Sequence, residues 1–171
     1  MPAGFEEFTS DGAFFTAQVP KDWDKNEAIS EGRLNREFSV NLKGPRSKDG
    51  AYLRISIIFY AEDHSRFKTV EKYLKLNARP DPTLAIKGET YGPITPHVVA
   101  HPQAKKFERR TFDFIPPHGT DPKKVPVYEY RVVVPGRKGG FYALIYHAPE
   151  DLKDGNLKIF KKVLAGFKPA R

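Results

Sequence analysis

Hydrophobic positions along the chain follow two rhythms, one of period two and one of period 3.6. The clearest alternation runs over residues 51–60, where Ala51, Leu53, Ile55, Ile57 and Phe59 share one face and Tyr52, Arg54, Ser56, Ile58 and Tyr60 the other. Residues 36–43 alternate as cleanly, with Phe38, Val40 and Leu42 inward and Glu37, Ser39 and Asn41 outward, as in a strand with one wet face. Further strands are predicted over 13–19, 105–115, 127–134 and 141–147. The last is apolar or aromatic on both faces through Tyr146, which suits a central strand covered on both sides. Helical spacing appears twice. Phe67, Val70 and Leu74 predict a helix within 65–77 that Ser65 or Thr69 could cap, and Leu157, Phe160, Val163 and Leu164 predict one over 156–165, stopped by Gly166 and Pro169.

Between these elements the punctuation is strong. Residues 44–50 and 116–126 read as loops, and Pro135 through Gly140 forms a long, basic, glycine-rich tip that turns 127–134 into a hairpin with 141–147. Residues 79–96 are long and mostly irregular, and 1–10 are expected to form a flexible N-terminal segment. A length of 171 residues suits one domain over 1–171, and 39% hydrophobic with 29% charged residues belongs to a globular chain. The absence of cysteine excludes disulfides, thiol nucleophiles and Cys-ligated metals. No apolar run approaches the roughly 20 residues that span a bilayer. The N-terminal residues lack the basic start and apolar stretch of a secretory signal, so the expected location is the cell envelope if an upstream signal was removed and the cytoplasm otherwise.

Candidate chemistry is sparse. His97 and His101 have helical i,i+4 spacing but are bracketed by Pro96 and Pro102. In an extended segment they would lie about 13 Å apart at ~3.3 Å per residue, too far to share a metal alone. His64, His118 and His147 stand singly, and Asp81, Glu89, Asp113 and Asp121 lie in or beside loops with no partner assignable. No Gly-x-Ser-x-Gly elbow occurs, and Gly136 to Gly140 lacks the ending of a phosphate loop. The expectation is therefore no catalytic residue, no metal and no cofactor.

Charge changes the picture more. The chain has 29 Lys/Arg against 21 Asp/Glu, a formal net charge of +8. Residues 1–104 hold 14 of each sign, whereas residues 105–171 hold 15 basic and 7 acidic residues. Should the sheet bring the late strands together, Arg109, Arg110, Arg131, Arg137 and Lys138 would form one basic patch, a docking face for an acidic protein partner or an anionic membrane surface. Nucleic acid is disfavoured, because the aromatics alternate into the core and no nucleic-acid module is visible.

The order of elements also resembles a known family. Phe14 to Val19 running into Pro20-Lys21-Asp22-Trp23 resembles the start of the PsbP-like family, which shares its fold with the Ran-binding Mog proteins. Gly140-Phe141-Tyr142-Ala143-Leu144-Ile145-Tyr146-His147-Ala148-Pro149, then a helix with Phe160 and Leu164 and the ending Gly166-Phe167-Lys168, resembles that family's closing signature, with Gly166 where serine is usual. The resemblance implies an α+β fold, an α/β/α sandwich with a central, mainly antiparallel sheet. It also implies an accessory or protein-binding role without catalysis, and carries over no individual functional residue. The alternatives are an enzyme or a metal or small-ligand binder using residues 79–102 and their histidines, and polyanion binding.

Overall fold

A computed structural model describes residues 4–80, 83, 86–97 and 102–170. Eleven strands and three helices follow one another: β1 (Phe5–Thr9), β2 (Phe15–Pro20), β3 (Asp24–Glu27), α1 (Ile29–Asn35), β4 (Glu37–Arg46), β5 (Tyr52–Tyr60), α2 (Val70–Asn77), β6 (Thr90–Tyr91), β7 (Thr95–Pro96), β8 (Lys105–Ile115), β9 (Lys123–Pro135), β10 (Phe141–Pro149), α3 (Lys153–Gly166) and β11 (Lys168–Pro169). The fold is mixed α and β, built on an antiparallel sheet in the order β3-β4-β5-β10-β9-β8-β6, with β7 also paired to β8. A smaller sheet has the order β1-β2-β11. None of the helices among the described residues is long and apolar enough to cross a membrane.

Alternation decides which side chains each face of the large sheet presents. Val40, Leu42, Ile55, Ile57, Val132, Tyr142, Leu144 and Tyr146 point to one side, where they pack with Phe15 and Val19 of β2 and Phe160 and Val163 of α3. The opposite face buries Tyr60, Phe107, Val133, Phe141 and Ala143 against Tyr73 and Leu74 of α2. Only one end of that second face is covered by the eight-residue α2, because β10 carries His147 and β9 carries Glu129 and Arg131 where apolar residues would otherwise continue the core. Trp23 packs against the first cluster and lies over Gly44, where a Cβ would come within 2.7 Å of its ring.

Several boundaries differ from the sequence pattern. Residues 5–9, expected to be flexible, form β1 and pair in register with β2 from Phe5↔Pro20 to Thr9↔Thr16. The 44–50 loop is shorter, since β4 runs to Arg46 through an irregularity between Lys43 and Arg46 that accommodates Pro45. β9 starts at Lys123 rather than 127, its first residues pairing with the end of β8. Helix α2 begins at Val70, where Thr69 Oγ1 accepts from the Lys72 amide at 3.2 Å. Phe67 precedes the helix and packs edge-on against Tyr60 and Tyr73. Helix α3 begins at Lys153, three residues before the predicted 156, and the irregular stretch holds the two short strands β6 and β7.

Candidate functional site

The half of the second face beyond α2 carries a row of charges laid across the sheet. Antiparallel register sets Lys43 of β4 opposite Arg54 of β5, Arg54 opposite His147 of β10, His147 opposite Glu129 of β9, and Glu129 opposite Arg109 of β8. Directly opposed residues project to the same side, so five strands contribute one line of ionisable groups.

Glu129 is its hub. The side chain is buried, and one carboxylate oxygen accepts from Arg109 Nε, from Arg131 Nη2 at 3.1 Å and from Arg131 Nε at 3.3 Å. The other oxygen accepts from His147 Nδ1 at 2.7 Å. Burial works to raise the Glu129 carboxyl, but the Arg131 charge, the His147 hydrogen bond and Arg109 outweigh it and hold the group well below the usual carboxylate range. Arg131 is also buried and donates to Tyr73 Oη at 2.6 Å and Asn77 Oδ1 at 3.3 Å, both on α2. The last turn of α2 is thereby tied to the row. Burial pushes the Tyr73 hydroxyl up, so it stays neutral and accepts.

His147 sits between two carboxylates. Its Nε2 contacts Asp113 Oδ2 at 3.0 Å and Oδ1 at 3.1 Å, on the ring side opposite Glu129. Ionised carboxylates only accept, so both ring nitrogens must donate and the ring is an imidazolium. Burial works to lower its pKa, yet the hydrogen bonds to Asp113 and Glu129 prevail and raise it. Asp113 is lowered in turn, the His147 contact and Arg54 overcoming partial burial. Arg54 itself stands 3.8 Å from Asp113, beyond hydrogen-bond distance, with its side chain 47% exposed.

Chemically this cluster is closed. The imidazolium has no free nitrogen with which to take a proton, and Glu129 spends both oxygens on cations. Among the described residues no group of three or more His, Asp or Glu is arranged to hold a metal ion. No protein-family model and no curated protein sequence matches the chain.

The five residues of the expected basic patch are distributed rather than gathered. Arg109 and Arg131 are engaged in the Glu129 cluster. Arg110 points to the other face, donating to Glu150 at 2.8 Å and lying over the Phe112 ring. Arg137 and Lys138 are exposed at the β9–β10 hairpin tip. There they adjoin a concavity of ≈ 450 Å³ lined by Lys68, Thr69, Glu71, Lys105, Pro135 and Gly140. Among the described residues, Lys68, Lys105, Arg137 and Lys138 form no ion pair.

Of the other histidines, His64 has a structural part. His64 is buried and its Nδ1 accepts from the Phe67 amide at 2.9 Å, shaping the approach to α2. The His97 amide donates to the Ala104 carbonyl, and His118 is exposed. His101 and Asp81 lie outside the described residues. Glu89 accepts from Thr111 Oγ1 at 2.7 Å, and Asp121 is exposed. The sequence does carry a signal for Glu129: it and Arg131 share parity with Val125, Val127 and Val133, two charges of opposite sign at inward positions of one strand.

Proposed function

We propose that the chain is a non-catalytic binding module of the PsbP-like type, with an α/β/α layering, that engages an acidic protein partner through the hairpin end of the large sheet. The layering is supported by α3 with the small sheet on one face and α2 on the other. The observation that carries the reading is the group of exposed cations without ion pairs at that end, Arg137 and Lys138 on the tip and Lys68 and Lys105 around the adjoining concavity. Glu62 and Glu71 are the acids nearby, so positive charge prevails there. Cations that no carboxylate among the described residues neutralises are the groups that steer and orient an acidic partner. The cations around Glu129, in contrast, are each engaged by Glu129 or Asp113 and serve the fold.

A photo-crosslinking side chain at position 138, introduced in the producing cells, tests this. The expected result is a discrete adduct with an acidic protein that weakens with salt and is lost in R137E/K105E. The same adduct in the charge-reversed variant, or none in either, overturns the reading.

A further inference from the structure

The opposite end of β10 carries a second feature, independent of the hairpin. Strand β10 stops at Pro149, opposite Val127, while the β8–β9 ladder continues to Ile115↔Lys123. Beyond the last residue of the central strand, the start of β9 has no neighbouring strand on the β10 side among the described residues, and the paired ends of β8 and β9 reach the 47–51 turn instead: Ile115 Cγ2 would lie 3.5 Å from a Cβ at Gly50, and Lys123 pairs with Asp49. The result is a notch of ≈ 480 Å³ between the start of β5 and the end of β8, in the size range of small-molecule sites.

The lining of the notch is divided. One wall is apolar, with Phe112, Phe114, Ile115 and Pro117. The other holds Lys43, Tyr52 and Arg54. Lys43 Nζ lies 4.3 Å from the centre of the Tyr52 ring and makes no ion pair with a described residue, and Arg54 donates no hydrogen bond to a described residue. The one acid in the lining is Asp113, whose two oxygens are both turned to the His147 imidazolium. Lys43, with no ion pair to a described residue, and Arg54, held only by its 3.8 Å approach to Asp113 among the described residues, therefore face an apolar wall across a space large enough for a ligand.

We propose that this notch binds a small amphiphilic monoanion, a free carboxylic acid with an aliphatic or aromatic body. The Arg54 guanidinium offers a planar fork matched to a carboxylate, Lys43 adds a point charge beside it, and the body lies along Phe114, Ile115 and Pro117. A dianion such as a phosphate monoester is disfavoured, because Asp113 lines the same space and repels the second charge. This site goes beyond the partner-binding reading and shares no residue with the hairpin end.

Titration calorimetry with octanoate on the full chain tests it, with octanol and acetate as probes carrying only the tail or only the head. Saturable one-to-one binding of octanoate is expected, with neither octanol nor acetate binding at the same concentrations. R54Q should weaken it by about ten-fold or more, the scale of one lost charge-assisted hydrogen-bonded pair, and F114S should weaken it separately. Arg54, Lys43 and Phe114 are all at least about one-third exposed, so the variants should keep the wild-type melting temperature; if R54Q does not, K43Q replaces it. Octanol binding as tightly as octanoate, or octanoate affinity unchanged in both the charge variant and F114S, overturns the proposal. Absence of octanoate binding to the wild-type chain overturns it as well.

Discussion

At the scale of single residues, Glu129 and His147 carry the largest consequences. Removing the Glu129 carboxylate leaves Arg131 and Arg109 without their shared carboxylate and the imidazolium with Asp113 alone. Breaking a buried ion pair from one side typically costs about 3–5 kcal/mol. E129A should therefore lower the unfolding free energy measured in urea by an amount in that range, well beyond R54Q at its half-exposed position. The pH dependence follows from the directions of the shifts. His147 has a pKa raised above its ordinary 6.5, so its stabilisation is complete below that value and is lost as pH rises through the folded value. Asp113 and Glu129 are lowered from 3.8 and 4.5, so their stabilisation is complete above those values and is lost as pH falls through the folded ones. Stability should be greatest between about pH 4.5 and 6.5. Urea midpoints measured across pH 5 to 9 should fall on the alkaline side in the wild-type chain, and a fall of equal size in H147Q would show that another group is responsible.

At the scale of elements, legibility in the sequence tracked how much apolar surface each element buries. Strands β5 and β10 were plain because every alternate position faces a core, and α3 because its stripe lies on the sheet. Strand β3 was not, since Asp24-Lys25-Asn26-Glu27 holds its place through backbone pairing with β4 and has no apolar residue to announce it. Helix α1 was missed for the same reason: its Leu34 is 82% exposed and it contains Gly32. In β1, Phe5 is buried and Phe8 partly so, a three-residue spacing that fits neither simple template. The charged row was legible only in part, because parity can place Glu129 and His147 on a face but register between distant strands decides that they meet. Glycines give the element-scale test. Gly140 opens β10 at φ 70°, and a Cβ there would lie 2.5 Å from the Tyr60 carbonyl oxygen, so G140A should cost more than about 1 kcal/mol. Gly155, in the first turn of α3, has nothing within 4 Å of its Cβ position, and G155A should instead stabilise by about 0.5 kcal/mol. Thermal melts of the two variants should move in opposite directions.

At the scale of the molecule, the chain's net charge resolves into two poles at the two ends of β10. Counting along the sequence assigned all of the excess to residues 105–171, yet folding brings Lys68 from the charge-balanced part to the hairpin end and Lys43 and Arg54 to the notch. Arg109, Arg131 and Arg110 pair with Glu129 and Glu150 of the same stretch, so the late excess resides on other cations, Lys105, Arg137 and Lys138 among them. The poles are separated by the six residue steps from Phe141 to His147, about 20 Å at ~3.3 Å per residue. That exceeds the ~8 Å screening length at physiological salt, and substitutions this far apart with no shared partner add almost independently. The Glu129 cluster lies between them, its cations Arg109, Arg131 and His147 held by Glu129 and Asp113. R137E/K138E should therefore leave octanoate affinity within about two-fold of wild type, and R54Q should leave crosslinking at the hairpin unchanged. A larger effect in either direction would mean that the row transmits a change from one end to the other, which would require His147 or Arg131 to exchange partners; imidazole nitrogen shifts of His147 measured in the same variants would show whether that exchange occurs.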